Sequence, residues 1–384
     1  MGKQYIATGN APQAHKSDIL GVEITARYTI TASSDGYANY WDNQLRENQS
    51  PNDTVNRQFI NKTGIHHISS YENILPDSTV KVVLVALVCF DGSITFQYFI
   101  NDDISTIKVV EGHPFKSHCW APGFHKDPES KQDYFLITQA TGATLVNHLN
   151  IVAKDEDVTI SFEKVGEMTP KKSVFPNSLA VSPATDKKVA IGYVNGDVYL
   201  YDLILFKALY TFQSTELQLT NKPGKSSAIP RVLKFSPGGK LLAVARDSQS
   251  SGALTLYDVQ YGENVGNLAM PSHSTSTSIG GFAHNGWIMG LSFDSTGETL
   301  ASCGFDRCVR IWNVETRERE ATIGLSITDL EDTEHDEMMD KSIASGLAFI
   351  KPGLRAGPGG DNNEGLCVVS FDRGVRWFRE AGGV

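Results

Sequence analysis

The sequence predicts an all-β protein of seven four-stranded blades arranged as a ring, a β-propeller closed by the N-terminal strand pairing with the last blade. Three observations lead there. One short pattern recurs seven times: a β-rich run, a turn with Asp or Asn and often Gly, then an alternating strand ending in an aromatic. Further strands with period-two alternation stand ahead of the turns. The last copy is one strand short, while an apolar strand with no repeat of its own stands near the start of the chain.

The copies read SSDGYANYWD (33–42), CFDGSITFQY (89–98), QATGATLVNH (139–148), YVNGDVYLYD (193–202), QSSGALTLYD (249–258), CGFDRCVRIWN (303–313) and SFDRGVRWF (370–378). Asp-Gly and Asn-Gly supply the positive φ angles of a tight hairpin, so each turn joins two antiparallel strands. The turn residues Asp35, Asp91, Thr141, Asn195, Ser251, Asp306 and Asp372 lie about 50 to 66 positions apart. That exceeds the ~40–45 of a compact repeat of this kind and puts the excess into loops. The preceding strands are clearest in RVLKFSPGGKLLAVA (231–245) and WIMGLSFDSTGETLASCG (287–304). The seventh copy supplies only 345–350, 366–371 and 375–379; pairing 4–8 outside 375–379 completes the blade and removes an exposed edge. The whole of 1–384 then reads as a single propeller domain.

In the sixth copy His284, Ser302, Asp306 and Trp312 stand at the spacing of the His-Ser-Asp-Trp network of WD-repeat proteins, which this stretch resembles. The resemblance implies a structural role: the Trp ring packs in the blade, its N–H reaches the Ser hydroxyl, and the His joins Ser to the turn Asp. Blade one offers His15, Asp35 and Trp41, with Ser33 or Thr31 as the hydroxyl. Blades three and four carry Asn147 and Tyr201 where Trp would stand. A hydrolase reading of the His-Ser-Asp set fails because no G-x-S-x-G elbow accompanies it.

Composition bounds the function. With 40% hydrophobic residues, 20% charged residues and 34 Gly, the chain reads as a globular protein rich in turns. Its longest apolar run, 82–90, is too short for a membrane helix, and its start lacks a secretion signal, so no membrane partner and an intracellular location are expected. Cys89, Cys119, Cys303, Cys308 and Cys367 form an odd set without C-x-x-C and read as reduced and mostly buried. A formal charge of −10 works against a phosphate backbone as ligand, so no direct nucleic-acid binding is expected. His113, His118, Cys119 and His125 make a poor metal set, because strand alternation separates neighbours; His66 and His67 are expected to point apart for the same reason. Neither a metal nor any other cofactor is expected, and no phosphate loop or nucleotide fingerprint appears. The loops 43–58 and 261–282 and the acidic stretch 330–340 read as solvated surface.

Aligning the starts of the inner strands gives two rings of side chains around the axial opening. One reads Asp18, Ile65, His118, Phe175, Ile229, Trp287 and Ile343; the other reads Leu20, His67, Trp120, Asn177, Arg231, Met289 and Ser345. The aliphatic members and Phe175 read as plugs of the inner core. Trp120, Trp287 and Arg231 with Asp18 read as anchors for a partner, and Leu20, His67, His118, Asn177 and Met289 complete the candidate surface.

A narrower resemblance rests on VRWFREAGG (375–383), FAHNGWIMGLSFDSTGETLASCGFDRCVRIW (282–312), KFSPGGKLLAVARDS (234–248) and IATGNAPQAHKSDIL (6–20). These stretches resemble the WD-repeat subunit of the fungal Ski, or superkiller, complex. The resemblance implies a non-catalytic subunit of a cytoplasmic assembly, partnered by a tetratricopeptide-repeat scaffold and an RNA helicase, that feeds RNA to the 3′-to-5′ exosome. It further implies recognition of short Gln-Arg-containing segments and, in some fungi, a nuclear role with a meiotic DNA-break protein. An incoming Arg between Trp120 or Trp287 and Asp18 would combine stacking with charge pairing. The competing readings are a nucleic-acid-binding propeller using Arg231, Arg376 and Arg379, and a ubiquitin-ligase substrate receptor.

Overall fold

The computed structural model describes residues 3–44, 49–75, 78–154, 157–213, 228–248, 250–270, 281–330, 340–355 and 365–381. Seven antiparallel four-stranded sheets follow one another, and no α-helix occurs among the described residues. Blade one runs from Ile19–Ile24 through Tyr28–Ser33 and Tyr37–Asp42 to Asn56–Phe59. The first strand of each sheet touches the first strand of the next, and that of blade seven returns to that of blade one. The first strands therefore surround the axis and the fourth strands form the rim. The acidic loop and the serine stretch lie largely outside the described residues, at 331–339 and 271–280.

Strands buried on both faces need side chains that are apolar in continuous runs rather than in alternation. Lys81–Cys89, the second strand of blade two, is such a run and is buried from Val82 onward. Its two faces serve different interfaces: Val83, Val85 and Leu87 pack with Ile30 and Tyr40 of blade one, whereas Leu84, Ala86 and Val88 pack with Phe135 and Ile137 of blade three. The same arrangement joins Leu254 and Leu256 of blade five to Leu300 and Trp312 of blade six. Each large side chain so buried contributes about 1.5–3 kcal/mol, available only while the neighbouring blade is present.

Closure follows the expected route. Tyr5–Ala11 pairs antiparallel with Val375–Glu380, from Tyr5 opposite Glu380 to Ala11 opposite Val375, with an irregularity between Ala7 and Gly9. At that irregularity the Thr8 hydroxyl donates to the Trp377 carbonyl (3.3 Å), and the Arg355 guanidinium lies 4.6 Å from the Trp377 ring centroid. Trp377 meets Trp41 of blade one edge-on at 5.8 Å, so the blade completed by the N-terminus is also the one that seals the ring.

The sixth-blade relay is complete. Trp312 Nε1 donates to Ser302 Oγ (2.8 Å), the Ser302 hydroxyl lies 2.7 Å from His284 Nε2, and His284 Nδ1 lies 2.9 Å from Asp306. The Asp306 carboxylate can only accept, so Nδ1 carries the proton toward it, and Nε2 accepts from the Ser302 hydroxyl, whose oxygen in turn accepts from the indole. Burial pushes the Asp306 carboxyl up, but His284 and Arg310 outweigh it and hold the group at about 2. In blade one the hydroxyl is Thr31, bonded to Trp41 (3.0 Å) and His15 (2.9 Å), while Ser33 turns to the Asp18 carbonyl (2.9 Å). Blades three and four lack the relay, as their residues foretold: Asn147 donates to the Phe135 carbonyl and the Tyr201 hydroxyl meets that of Tyr193. Blade seven, with Phe378 where Trp would stand, keeps the ion pair that blade six also carries: Arg376 Nη2 donates to Asp372 at 2.6 Å, as Arg310 Nη1 does to Asp306 at 2.7 Å.

Two outcomes follow for stability. Deleting residues 1–10 leaves the edge at Val375–Glu380 unpaired, and the truncated chain should aggregate or lose its cooperative melting transition in light scattering and calorimetry. Trp312→Ala removes a fully buried ring and strands Ser302, so denaturant unfolding should show a loss of about 3–5 kcal/mol.

Candidate functional site: the mouth of the ring

Every inner strand carries a register irregularity at its start: Ile19/Gly21, Ile65/His67, Cys119/Pro122, Pro176/Ser178, Pro230/Val232, Ile288/Gly290 and Ala344/Gly346. A bulge at a sheet end re-aims side chains, and here each inner strand gains one extra residue at its start. A second backbone feature repeats with it. The carbonyls of Asp18, Gly64, His118, Phe175, Ile229, Trp287 and Ile343 accept from Ser34, Phe90, Ala140, Val194, Asp247, Phe305 and Phe371, one pair per blade.

These seven equivalent bonds test the alignment of the two rings. Six blades agree with it. Blade two is displaced by one: Gly64 and His66, not Ile65 and His67, occupy the equivalent positions, and Ile65 is buried in the core. The bulge also corrects the expectation that His66 and His67 diverge. His66 Nε2 donates to the Cys89 carbonyl (3.0 Å), leaving its Nδ1 to accept from Nδ1–H of His67 at 2.5 Å. The rule of alternation fails wherever two residues oppose one.

The side chains fall into two clusters. In the first, Trp120 stacks on His66 (4.2 Å between centroids), meets His67 edge-on (5.5 Å) and Phe175 edge-on (4.9 Å), and donates its N–H to the Asn177 carbonyl. Phe90 completes this cluster against His66. Burial holds both imidazoles below the ordinary histidine range, His66 at about 4 and His67 at about 3, so the cluster is uncharged at neutral pH. In the second, Arg231 lies 4.4 Å from the Trp287 ring centroid while its Nε donates to Asp247 at 2.7 Å; Phe305 bridges Trp287 to Phe371. Trp287 is 37% exposed, and Asp18 and His118 are also exposed, whereas Leu20, Asn177 and Met289 are half-buried.

One expectation changes here. A face of Trp287 is already covered by Arg231 of the same chain, so an incoming Arg must displace that side chain or use Trp120. Among the arginines proposed for nucleic acid, Arg376 is 2% exposed and paired with Asp372, and Arg231 is paired with Asp247. Neither presents a free cation. The metal reading loses its geometry too, because Cys119 and His125 stand at opposite ends of the strand Cys119–His125, and His125 Nδ1 bonds the Ser182 carbonyl. Residues overlooked in the sequence are Phe90, Phe305, Phe371 and Asp247. The first three directly precede the turn aspartates Asp91, Asp306 and Asp372, a regularity visible in the repeats themselves.

Seven sheets in a closed ring, with a Trp-Ser-His-Asp relay in blade six, define a WD-repeat propeller. A family profile described as WD domain, G-beta repeat matches residues 276–313, the stretch that carries the relay. The chain is 36% identical over 402 aligned positions to the antiviral protein SKI8 of Saccharomyces cerevisiae, with 100% of both chains covered. It therefore belongs to the SKI8 family of WD-repeat proteins. More distant similarity links it to WD repeat-containing protein 1 of Xenopus tropicalis, 32% identical over 75% of this chain and 38% of that protein. Actin-interacting protein 1 of Drosophila melanogaster is 24% identical over 48% of this chain and 27% of that protein.

Asp247 gives this site a pH signature. It is 3% exposed, its Oδ1 has no hydrogen-bond donor, and burial pushes its carboxyl to about 6 against the pull of Arg231. A folded-state value raised above the ordinary ~3.8 means the native state keeps a proton that the unfolded chain releases. Stability from this group is therefore present below the ordinary value and lost as pH rises through about 6. Asp247→Asn should abolish that loss, gaining on the order of 2 kcal/mol relative to the parent between pH 4 and 7 in paired denaturant titrations.

Proposed function

We propose that the chain is a non-catalytic interaction subunit of a cytoplasmic Ski-type complex, holding partner segments on the mouth of the propeller and so assisting 3′-to-5′ mRNA decay by the exosome. The observation that carries this reading is the full-length similarity to yeast SKI8. The partners in this reading are the tetratricopeptide-repeat scaffold and the RNA helicase, with short Gln-Arg-containing scaffold segments docking on the mouth. The exposed aromatic arc suits a docking surface, because rigid rings give large contact area at small entropic cost and dominate binding energy at protein interfaces.

A non-catalytic role agrees with the fate of the His-Ser-Asp set. Ser302 and His284 are fully buried, and the Ser302 oxygen is engaged by the Trp312 indole, so no substrate reaches the hydroxyl. The set satisfies buried polar groups instead.

The reading is tested by Trp120→Ala, Trp287→Ala and Asp18→Lys, titrated calorimetrically against a Gln-Arg-containing peptide of the scaffold. Each should weaken binding by about 2 kcal/mol or more. Asp18→Lys, at an exposed position, should leave thermal unfolding unchanged. Parental affinity in all three would remove the mouth as the docking surface.

A further inference from the structure

Asp247 works against the fold that holds it. It is almost wholly buried and its Oδ1 has no hydrogen-bond donor, and a buried carboxylate with an unsatisfied oxygen lowers stability. Among the seven residues that bond the inner-strand carbonyls it is the one that carries a charge, the others being Ser, Ala, Val or Phe. Its ion-pair partner is as singular, for Arg231 is the one cation among the side chains of the second ring. Both fall in blade five. Proteins keep such departures from good burial where function uses them.

The pair has a definite geometry. Arg231 Nε donates to Asp247 Oδ2 at 2.7 Å, and the guanidinium lies over Trp287 of blade six with Cζ 4.4 Å from the ring centroid. One edge and one face of the guanidinium are thereby fixed. Pairing with Asp247 balances the charge yet occupies Nε alone: Nη1 and Nη2 have no acceptor among the described residues, and the side chain is 27% exposed. A guanidinium held this way presents a planar fork of N–H donors whose side-chain freedom is already spent, the arrangement that receives a carboxylate. Phe305 and Phe371 continue the surface beyond Trp287, so neutral rings frame the fork.

We propose that Arg231 is a carboxylate receptor at the mouth, with Asp247 and Trp287 as its positioning residues. Its ligand is an acidic side chain of the protein segment that docks there, so the proposal rests on the mouth being the docking face. Asp18, exposed on blade one, supplies the opposite charge. A segment carrying one cation and one carboxylate is then bound in one direction only, its cation toward Asp18 and its carboxylate toward Arg231. A nucleic-acid phosphate fits less well, since a phosphate backbone is held by several cations together and this fork stands alone among neutral rings.

The test measures discrimination between a carboxylate and its amide. The full chain is titrated calorimetrically with the Gln-Arg-containing scaffold peptide, C-terminally amidated, and with versions in which each acidic residue is changed in turn to its amide. One such change should weaken binding to the parent about tenfold and leave binding to Arg231→Gln unchanged. Arg231→Lys, which keeps the charge and loses the fork, should not restore the discrimination. Asp247→Val, which gives blade five the residue that blade four carries, should lose the discrimination while unfolding at no lower temperature, a combination that a purely structural residue does not give. A peptide that binds with no dependence on any carboxylate overturns the proposal and leaves the docking face intact. A peptide that fails to bind removes the docking face instead, and the receptor is then read with N-acetylglutamic acid α-amide at fixed ionic strength. The Arg231 side-chain resonances should move saturably in the parent and stay in place in Asp247→Val. Resonances that do not move, or that move with a short oligoribonucleotide and not with the glutamic acid derivative, would overturn the proposal.

Discussion

The structure depends on the fact that a blade has two apolar faces and no means of covering either alone. Val83 and Leu84 are adjacent in one strand, yet the first packs on blade one and the second on blade three. Every blade is thus a wedge between two others, and the apolar burial that offsets chain entropy is realised only when the last wedge meets the first. The pairing of Tyr5–Ala11 with Val375–Glu380 supplies that final contact and joins residues nearly the whole chain apart. It is a non-local bond of the kind expected to form late in folding.

Within that ring the polar relays are local staples. In blade six the Trp-Ser-His-Asp chain ties the second and third strands to the segment that leads into the inner strand, and in blade seven Arg376 with Asp372 and Ser370 does comparable work. A chemically catalytic set of residues thereby becomes structural, because the indole takes the serine oxygen and burial excludes water. The same scaffold rigidity serves recognition. Rings at the mouth are held by packing and by repeated backbone bonds, so under the proposed function a partner segment would meet a surface whose conformational cost is already met by the fold.

Most of the architecture was legible in the sequence because hairpin turns and strand alternation are local. Seven turns, three strands in the last copy and the unclaimed strand near the start led to closure by 4–8 on 375–379, which the structure extends to Tyr5–Ala11 on Val375–Glu380. Blades three and four, with Asn147 and Tyr201, lack the relay as read. The candidate site was legible in outline only. Its ring positions hold in six blades and slip by one in blade two, where a bulge turns His66 and His67 onto each other. The pairing of Arg231 with Asp247 joins positions in two strands, and Trp287, which Arg231 covers, belongs to the next blade. Such contacts follow from assembly of the blades and leave no trace in local spacing.

The five tryptophans offer the most direct test of the mouth as the docking face. Trp41, Trp312 and Trp377 are buried in the blades, whereas Trp120 and Trp287 stand at the mouth. Indole N–H resonances of the intact, nitrogen-15-labelled chain should be followed while a Gln-Arg-containing scaffold peptide is added. The account predicts shifts at Trp120 and Trp287 with the three blade tryptophans unmoved. Saturable binding that leaves both mouth signals in place, or that moves only Trp41, Trp312 or Trp377, would contradict it.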